Sequence, residues 1–408
     1  MAPSPASAPA TADPSTHRVV GLLTVAAFAS SASMRLCDPL LPRLADEFGV
    51  GLTAAAAAIT GFSVAYGLLQ LVIGPLGDRV GKFLVINLAT LLAALASLAC
   101  ALAPGLDWLV LARVVAGGVG GAIIPVAFAW IGDEVPYDQR QSVLARVMSG
   151  GLLGVISGQL IGGVFVDSIG WRWAFVALAA VFALVAAMMR ASPSARNVRH
   201  PTSAASASPV ALLRAYAAIA RPSWSRFVLL TVVIEGMLMY GALSFVPTAL
   251  HDRFGIPLWQ AAAVSAVVGA GGFVYTLLAP RLIARFGERG LAMLGGSLVG
   301  VGLLTLALAP APWVAIAGCL ALGLGFYAFH NTLQVHGTQL SATHRGMGMA
   351  LFALSLFLGQ SIGVALASVA VAWAGFGPTF GAAALAFLLL SVGLVRALAR
   401  HQASRPAG

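Results

Sequence analysis

Gly74-Pro75-Leu76-Gly77-Asp78-Arg79-Val80-Gly81-Lys82 is a compact charged turn between two long apolar runs, in a chain where only 9% of residues are charged. The Gly-Pro and Gly-Asp pairs predict the end of one helix, and Gly81 permits a tight reversal. Asp78 is placed to accept hydrogen bonds from the free backbone N–H groups that open the next helix. Arg79 and Lys82 mark this side as cytoplasmic, because loops retained on that side of a membrane are enriched in Lys and Arg.

The flanking sequence is that of a membrane protein. The chain is 60% hydrophobic with a mean hydropathy of +0.94, and its apolar stretches recur at about 20 residues, the length that spans a bilayer core. A soluble domain is excluded. The 46 glycines suit helices that pack closely in lipid, where small residues let backbones approach. A net charge of +10 would suggest nucleic acid in a soluble protein. Here the charges sit at span ends, so sidedness accounts for them and no nucleic-acid partner is expected. Cys37, Cys100 and Cys319 lie inside apolar runs at unrelated spacings and imply neither a disulfide framework nor a metal site.

Twelve helices are predicted, at 19–41, 53–76, 83–103, 108–132, 147–166, 172–190, 227–250, 260–280, 291–309, 313–337, 347–373 and 379–398. Twelve spans place both termini on one side. Arg18, Arg79, Lys82, Arg140, Arg146, the central loop, Arg281, Arg285, Arg289, Arg345 and the last arginines then share that side, leaving Arg43, Arg172 and Arg253 opposite. This positive-inside pattern predicts cytoplasmic termini. Residues 1–17 read as a disordered cytoplasmic tail, 18–190 and 227–398 as two six-helix bundles, 191–226 as a basic linker and 399–408 as a second cytoplasmic tail. Val19–Ala29 followed by Ala29-Ser30-Ser31-Ala32-Ser33 has the outline of a cleavable leader. The long polar preamble and the apolar sequence beyond it favour an uncleaved first span. The linker carries Arg196, Arg199, Arg214, Arg221 and Arg226, with Arg190 just before it and no acid. It reads as a solvated tether with topology-setting charge; the alternative is a surface helix near Val210–Ala220 with arginines on anionic lipid headgroups.

Several motifs point the same way. Gly74-x-x-x-Asp78-Arg79-x-Gly81-Lys82 resembles the signature between helices 2 and 3 of the major facilitator superfamily, whose aspartate latches neighbouring helices in one state; Phe83 stands where the family usually has another basic residue. Arg113-Val114-Val115-Ala116-Gly117 resembles the family's helix 4 motif, whose arginine is implicated in proton coupling. Gly154-x-x-x-Gly158-Gln159-x-Ile161-Gly162-Gly163 resembles the helix 5 motif of its antiporters, with Gln159 in place of the usual proline. Asp38-Pro39 with Leu41-Pro42, and His330-Asn331-Thr332-Leu333-Gln334, resemble runs in bacterial drug and sugar efflux relatives. The halves also echo each other: Gly158-Gln159-Leu160-Ile161-Gly162 recurs as Gly359-Gln360-Ser361-Ile362-Gly363, and Arg79-Val80-Gly81-Lys82-Phe83 as Arg285-Phe286-Gly287-Glu288-Arg289. Ala284 replaces the aspartate, so the latch is expected mainly on the first half. The resemblance implies an all-α integral membrane fold of two pseudo-symmetric six-helix bundles. It also implies rocker-switch alternating access around a midplane substrate site, in a drug/proton antiporter.

Ionisable residues inside spans are costly unless paired or hydrated, and mark candidate sites. Arg35 and Asp38 are three residues apart on nearly one face of helix 1, about 25–30 Å from its cytoplasmic end. Arg113 enters from the other side to a similar depth. The three are expected to form one proton-coupling cluster; the alternative is a static salt bridge that orients helices. Glu235 lies roughly 12 Å into helix 7 and needs a proton or a partner. His330 and Gln334 share a face of helix 10 at comparable depth with Asn331 beside them, so Glu235 and His330 are expected to share the cavity; the alternative is a packing histidine. Tyr66 and Gln70 (with Ser63, at helical spacing), Gln159, Tyr240, Asn331, Gln334 and Gln360 are expected to line it. Gly150, Gly154, Gly158 and Gly162, at intervals of four, and Gly163 form a predicted packing motif.

The function expected is proton-coupled efflux of a small organic molecule, with importing proton symport as the alternative. No cofactor is implied, the proton gradient being the energy source, and the expected setting is a monomer in a bacterial inner membrane. The sequence shows neither a nucleophile with its base nor a His-Glu-x-x-His set, so an intramembrane enzyme is not supported. A sensor would carry an added soluble domain. Two arginines against two acids leave the cavity near neutral, favouring neither cationic nor anionic cargo.

Overall fold

The structure, a computed structural model, describes residues 14–192, 208–341 and 343–403. Most of the predicted first tail, Arg196 and Arg199 of the linker and the end of the second tail lie outside them. The chain is an all-α integral membrane protein. Among the described residues, 11 continuous helices are long and apolar enough to cross a membrane. One of them, Leu258–Leu308, has 51 residues, about 77 Å at 1.5 Å per residue, and crosses twice. Gly287 breaks it with φ 61° and ψ −174°, a backbone that favours glycine. There are therefore twelve passes: α1 (Pro14–Arg35), α2 (Ala57–Val80), α3 (Lys82–Ala101), α4 (Leu106–Glu134), α5 (Tyr137–Ser168), α6 (Trp171–Arg190), α7 (Ser223–Leu243), α8 (258–286), α9 (288–308), α10 (Pro312–Gly337), α11 (Arg345–Ala374) and α12 (Phe376–Ala403). A further helix, Pro209–Ala220, lies in the linker.

The turns are tighter than the sequence suggests. α2 does not end at the Gly74-Pro75 pair but continues through Pro75 to Val80, and only Gly81, at φ 100° and ψ 124°, interrupts the backbone. In lipid an interrupted helix leaves backbone groups unsatisfied, so helix persists through residues that would stop it in water. Asp78 consequently does not cap α3, whose N-cap is Gly81 with no side-chain bond. The same force reduces the predicted ten-residue turn between α8 and α9 to Gly287. α1 starts at Pro14, inside the predicted tail, and ends early at Arg35. Pro39 and Pro42 supply no N–H for the carbonyls of Arg35 and Asp38, so the chain tightens into a 3-10 turn, Asp38–Leu40, before the short helix Leu41–Phe48.

The same seams recur in both halves. Gly150, Gly154, Gly158 and Gly162 of α5 lie on the α1 backbone, where an added Cβ would stand 2.7, 2.2, 2.3 and 2.4 Å from the carbonyl oxygens of Thr24, Phe28, Ala32 and Leu36. On the equivalent pair, a Cβ at Gly359 or Gly363 of α11 would stand 2.1 Å from the carbonyls of Val233 or Met237 of α7. Gly117 and Gly121 of α4 press likewise on α2, and Gly323 of α10 on α8. Gly163 departs from the α5 stripe and faces the other half, at Leu258, Trp259 and Ala262 of α8.

Candidate functional site

At the end of α1 the broken helix brings Arg35 and Asp38 together, with Nη1 to Oδ2 at 3.3 Å and both side chains buried. Gln159 of α5 donates from Nε2 to the same Oδ2 at 3.3 Å, and the Ser244 hydroxyl at the end of α7 lies beside the carboxyl. The second carboxyl oxygen, Oδ1, has no hydrogen-bond partner among the described residues.

Arg113 stands close by, but its guanidinium is bound to backbone oxygens and not to a carboxylate. Nη1 donates to the Ser33 carbonyl at 2.9 Å and its hydroxyl at 3.3 Å, and Nε donates to the Ala58 carbonyl at 3.2 Å. The charge lies 4.0 Å from the centre of the Phe62 ring. The expected triad is thus a pair plus a clamp. Because α1 ends at Arg35, the Ser33 carbonyl is one of those left over at a helix C-terminus, and Arg113 takes it. Arg113 ties α4 to α1 and α2.

In the other half Glu235, buried on α7, meets His330 of α10 with Oε2 to Nδ1 at 3.0 Å. The His330 ring stacks on Phe326, one helical turn earlier, at 5.2 Å and 21°, and Phe352 of α11 approaches at 5.3 Å. Phe326 stands edge-on to Tyr240 at 5.5 Å. The far face of this group reaches the first half, where the Arg35 guanidinium lies 5.1 Å from the Tyr240 ring centre. One row of contacts, Asp38–Arg35–Tyr240–Phe326–His330–Glu235, therefore joins the two buried carboxyls across the junction.

The junction is shut on the side away from the termini. Thr53 donates to the Ser368 carbonyl at 3.3 Å, Ser361 to the Thr60 carbonyl at 3.2 Å, and Gln360 to the Ser63 hydroxyl at 2.8 Å. Tyr66 packs on Phe357 at 4.5 Å, and the Asp167 carboxylate accepts from the Trp259 backbone N–H at 2.7 Å. Toward the termini Gln70 and Asn331 are partly exposed and Gln334 is exposed, as are Met148 and Leu153 of α5. Ser63, Gln360, Ser361 and Ser368 of the junction are thus buried on the side away from the termini, and Gln70, Asn331 and Gln334 are more exposed on the side that carries them. Gln159 and Gln360, expected on the cavity wall, are sealed in seams instead, because each finds a polar partner there. Tyr66 is likewise buried in the α2–α11 seam.

The charged turns form clasps within each bundle. Lys82 reaches Asp133 at the end of α4 at 2.5 Å and Asp78 at 3.3 Å; Asp78 is more than half exposed in this state, and Gly74 has open space around it. The second half has the equivalent contact with acid and base exchanged: Glu288, the residue after Gly287, meets His336 at the end of α10 at 2.6 Å. A turn-to-helix contact of this kind is therefore present in both halves. Sequence reasoning matched Gly287 to Gly81 but weighed only the missing aspartate and passed over the position that follows. It also missed Ser33, Ser244 and Phe352, whose roles depend on helix rotation.

A family model described as the Major Facilitator Superfamily matches residues 23–342. The chain is 28% identical over 402 residues to the inner membrane transport protein YnfM of Escherichia coli (strain K12), covering 95% of this chain and 92% of that protein. It is 27% identical over 348 residues to an uncharacterized MFS-type transporter, YwfA, of Bacillus subtilis (strain 168), covering 84% and 83%. A multidrug resistance protein B homolog of Mycobacterium tuberculosis (strain ATCC 25618 / H37Rv) is 24% identical over 407 residues, covering 86% and 75%. Among solved structures, a point mutant of the peptide transporter POT superposes with a TM-score of 0.77 at 15% identity, covering 94% of each chain. A bacterial homolog of the human lysosomal transporter Spinster, inward-facing and occupied, superposes at 0.72 and 19%, covering 95% of this chain and 96% of its own.

Proposed function

The chain belongs to the major facilitator superfamily, whose members are transporters and not enzymes, and from that premise we propose that it exports a small organic molecule in exchange for protons by alternating access. The observation that carries this reading is the row of contacts joining Asp38 to Glu235 across the junction of the halves. Each half contributes one buried carboxyl held by one basic partner. Protonating Asp38 removes the charge that attracts Arg35, and protonating Glu235 removes the negative charge facing His330. Either event releases a group at the surface that must rearrange when the halves rock, and so biases the equilibrium between the two openings. Cargo entering beside Tyr240, Phe326 and His330 meets the same groups, so cargo and proton compete. The multidrug resistance homolog among the relatives supports efflux.

The distribution of Arg and Lys supports a cytoplasmic open face and cytoplasmic termini, and the bacterial relatives support the inner membrane as the site. The protein works as a monomer, since each chain holds both halves of the cavity. One feature favours the opposite reading, an importing symporter: α5 runs unbroken from Tyr137 to Ser168, with Gln159 where the antiporter motif has proline. Direction of proton movement separates the two. Asp38→Asn and Glu235→Gln variants in proteoliposomes are expected to lose proton-driven transport by about tenfold or more, equivalent to ~1.4 kcal/mol in the coupled step. Full proton-driven transport by both variants would remove the basis of the mechanism.

A further inference from the structure

The linker helix Pro209–Ala220 is fastened to α2 at a particular atom. Pro75 has no N–H, so the carbonyl of Leu71, four residues earlier, has no donor from its own helix. Tyr216 supplies one: its hydroxyl donates to the Leu71 oxygen at 2.8 Å. Burial pushes the Tyr216 phenol up from its ordinary pKa, so it stays a donor at physiological pH. Ile219, one turn on, is buried too. The same short helix also touches α7 and α11 of the second half. It therefore straddles the α2–α11 side of the junction, whose cytoplasmic ends must move when the opening changes.

Its other face is unlike that of a solvated tether. Val210 and Leu213 are exposed by 56% and 66%, and Arg214 and Arg221 are exposed beside them. The helix ends at Ala220 and α7 begins at Ser223, which holds its C-terminal end at the level of the bilayer surface. From Arg190 to Arg226 the chain has six arginines and no acid. Exposed apolar side chains with arginines along one helix at that level fit the headgroup boundary of an anionic leaflet.

We propose that the Val210–Leu213–Arg214–Arg221 face docks on anionic phospholipid of the cytoplasmic leaflet, and that the Tyr216–Leu71 bond conveys this docking to α2 and so to the opening of the cavity. The inference rests on the orientation given above. It is independent of cargo and of proton coupling.

The test uses the full-length protein carrying Leu213→Cys labelled with an environment-sensitive nitrobenzoxadiazole dye; the native cysteines are all buried. Vesicles of phosphatidylethanolamine are compared with and without phosphatidylglycerol in both leaflets, so the result does not depend on insertion direction. The dye emission is expected to shift to the blue only with phosphatidylglycerol. High salt should weaken the shift, and an added Arg214→Gln/Arg221→Gln pair should abolish it. Equal emission in the two vesicles, an undiminished shift in the double variant, or the same shift from inorganic phosphate alone would overturn the docking. Spin labels at Leu76→Cys and Arg345→Cys report the α2–α11 opening. Phosphatidylglycerol is expected to change their distance distribution in the parent and not in Tyr216→Phe, while Tyr216→Phe keeps the lipid-dependent emission at position 213. An identical change in both would overturn the conveying role of Tyr216.

Discussion

At the scale of single residues, the glycines of the α1–α5 seam and the ionisable groups beside it make opposite demands. A side chain at Gly158 meets the Ala32 carbonyl at 2.3 Å, so Gly158→Val is expected to destabilise the protein by about 1–3 kcal/mol through overpacking. Gly393→Ala on α12, where an added Cβ meets nothing within 4 Å, is expected to leave the melting temperature in detergent unchanged or slightly raised. A melting scan of the two variants checks this; equal behaviour would mean the seam is not close-packed. The charged residues were legible for a simple reason: in an apolar chain each one inside a span must find a partner, and Glu235 with His330 or Arg35 with Asp38 sit at matching depths. What spacing cannot give is rotation about the helix axis. Arg113 turned to the Ser33 and Ala58 carbonyls instead of a carboxylate, and Tyr240 turned to Arg35, because neighbouring backbones that the sequence does not locate set those directions.

At the scale of elements, twelve spans were readable from apolar length, and the correspondence of α5 in one half to α11 in the other from their shared Gly-Gln-x-x-Gly pattern. The ends were not readable, because the Gly-Pro and Gly-Asp signals that stop a helix in water do not stop one surrounded by lipid; α2 runs through both. The two clasps follow from these tight turns, each formed by the first residue after a positive-φ glycine and the last turn of the helix after next. Each has its carboxylate partly exposed at the membrane surface, Asp133 in one and Glu288 in the other, so removing that charge is expected to cost less than about 1 kcal/mol of stability. Asp133→Asn and Glu288→Gln should therefore melt near the parent temperature while altering the cytoplasmic opening seen by spin-label distances. A loss of folded protein in both would show that the clasps hold the bundles together. The α2–α11 seam makes a sharper demand. Thr60→Cys with Ser361→Cys is expected to cross-link under oxidation and abolish transport, with recovery on reduction, because Ser361 bonds the Thr60 carbonyl across the shut side and the proposed cycle parts that side. Full transport by the cross-linked protein would mean that this seam does not open.

At the scale of the whole molecule, the halves are joined on the side away from the termini, with one buried carboxyl in each half linked through Arg35, Tyr240, Phe326 and His330; on the proposed reading this is one of the two openings of alternating access. The near balance of acids and bases at the centre leaves cargo charge open, so the decisive question is coupling. The direct measurement is proton flux in proteoliposomes under an imposed pH gradient, with drugs, sugars and amino acids added one class at a time, on the parent protein and on Asp38→Asn and Glu235→Gln. One class is expected to dissipate the gradient with protons moving opposite to cargo, and the two variants are expected to abolish this. Labelled cargo crossing with no proton movement, or protons moving in the same direction as cargo, would contradict the proposed exchange.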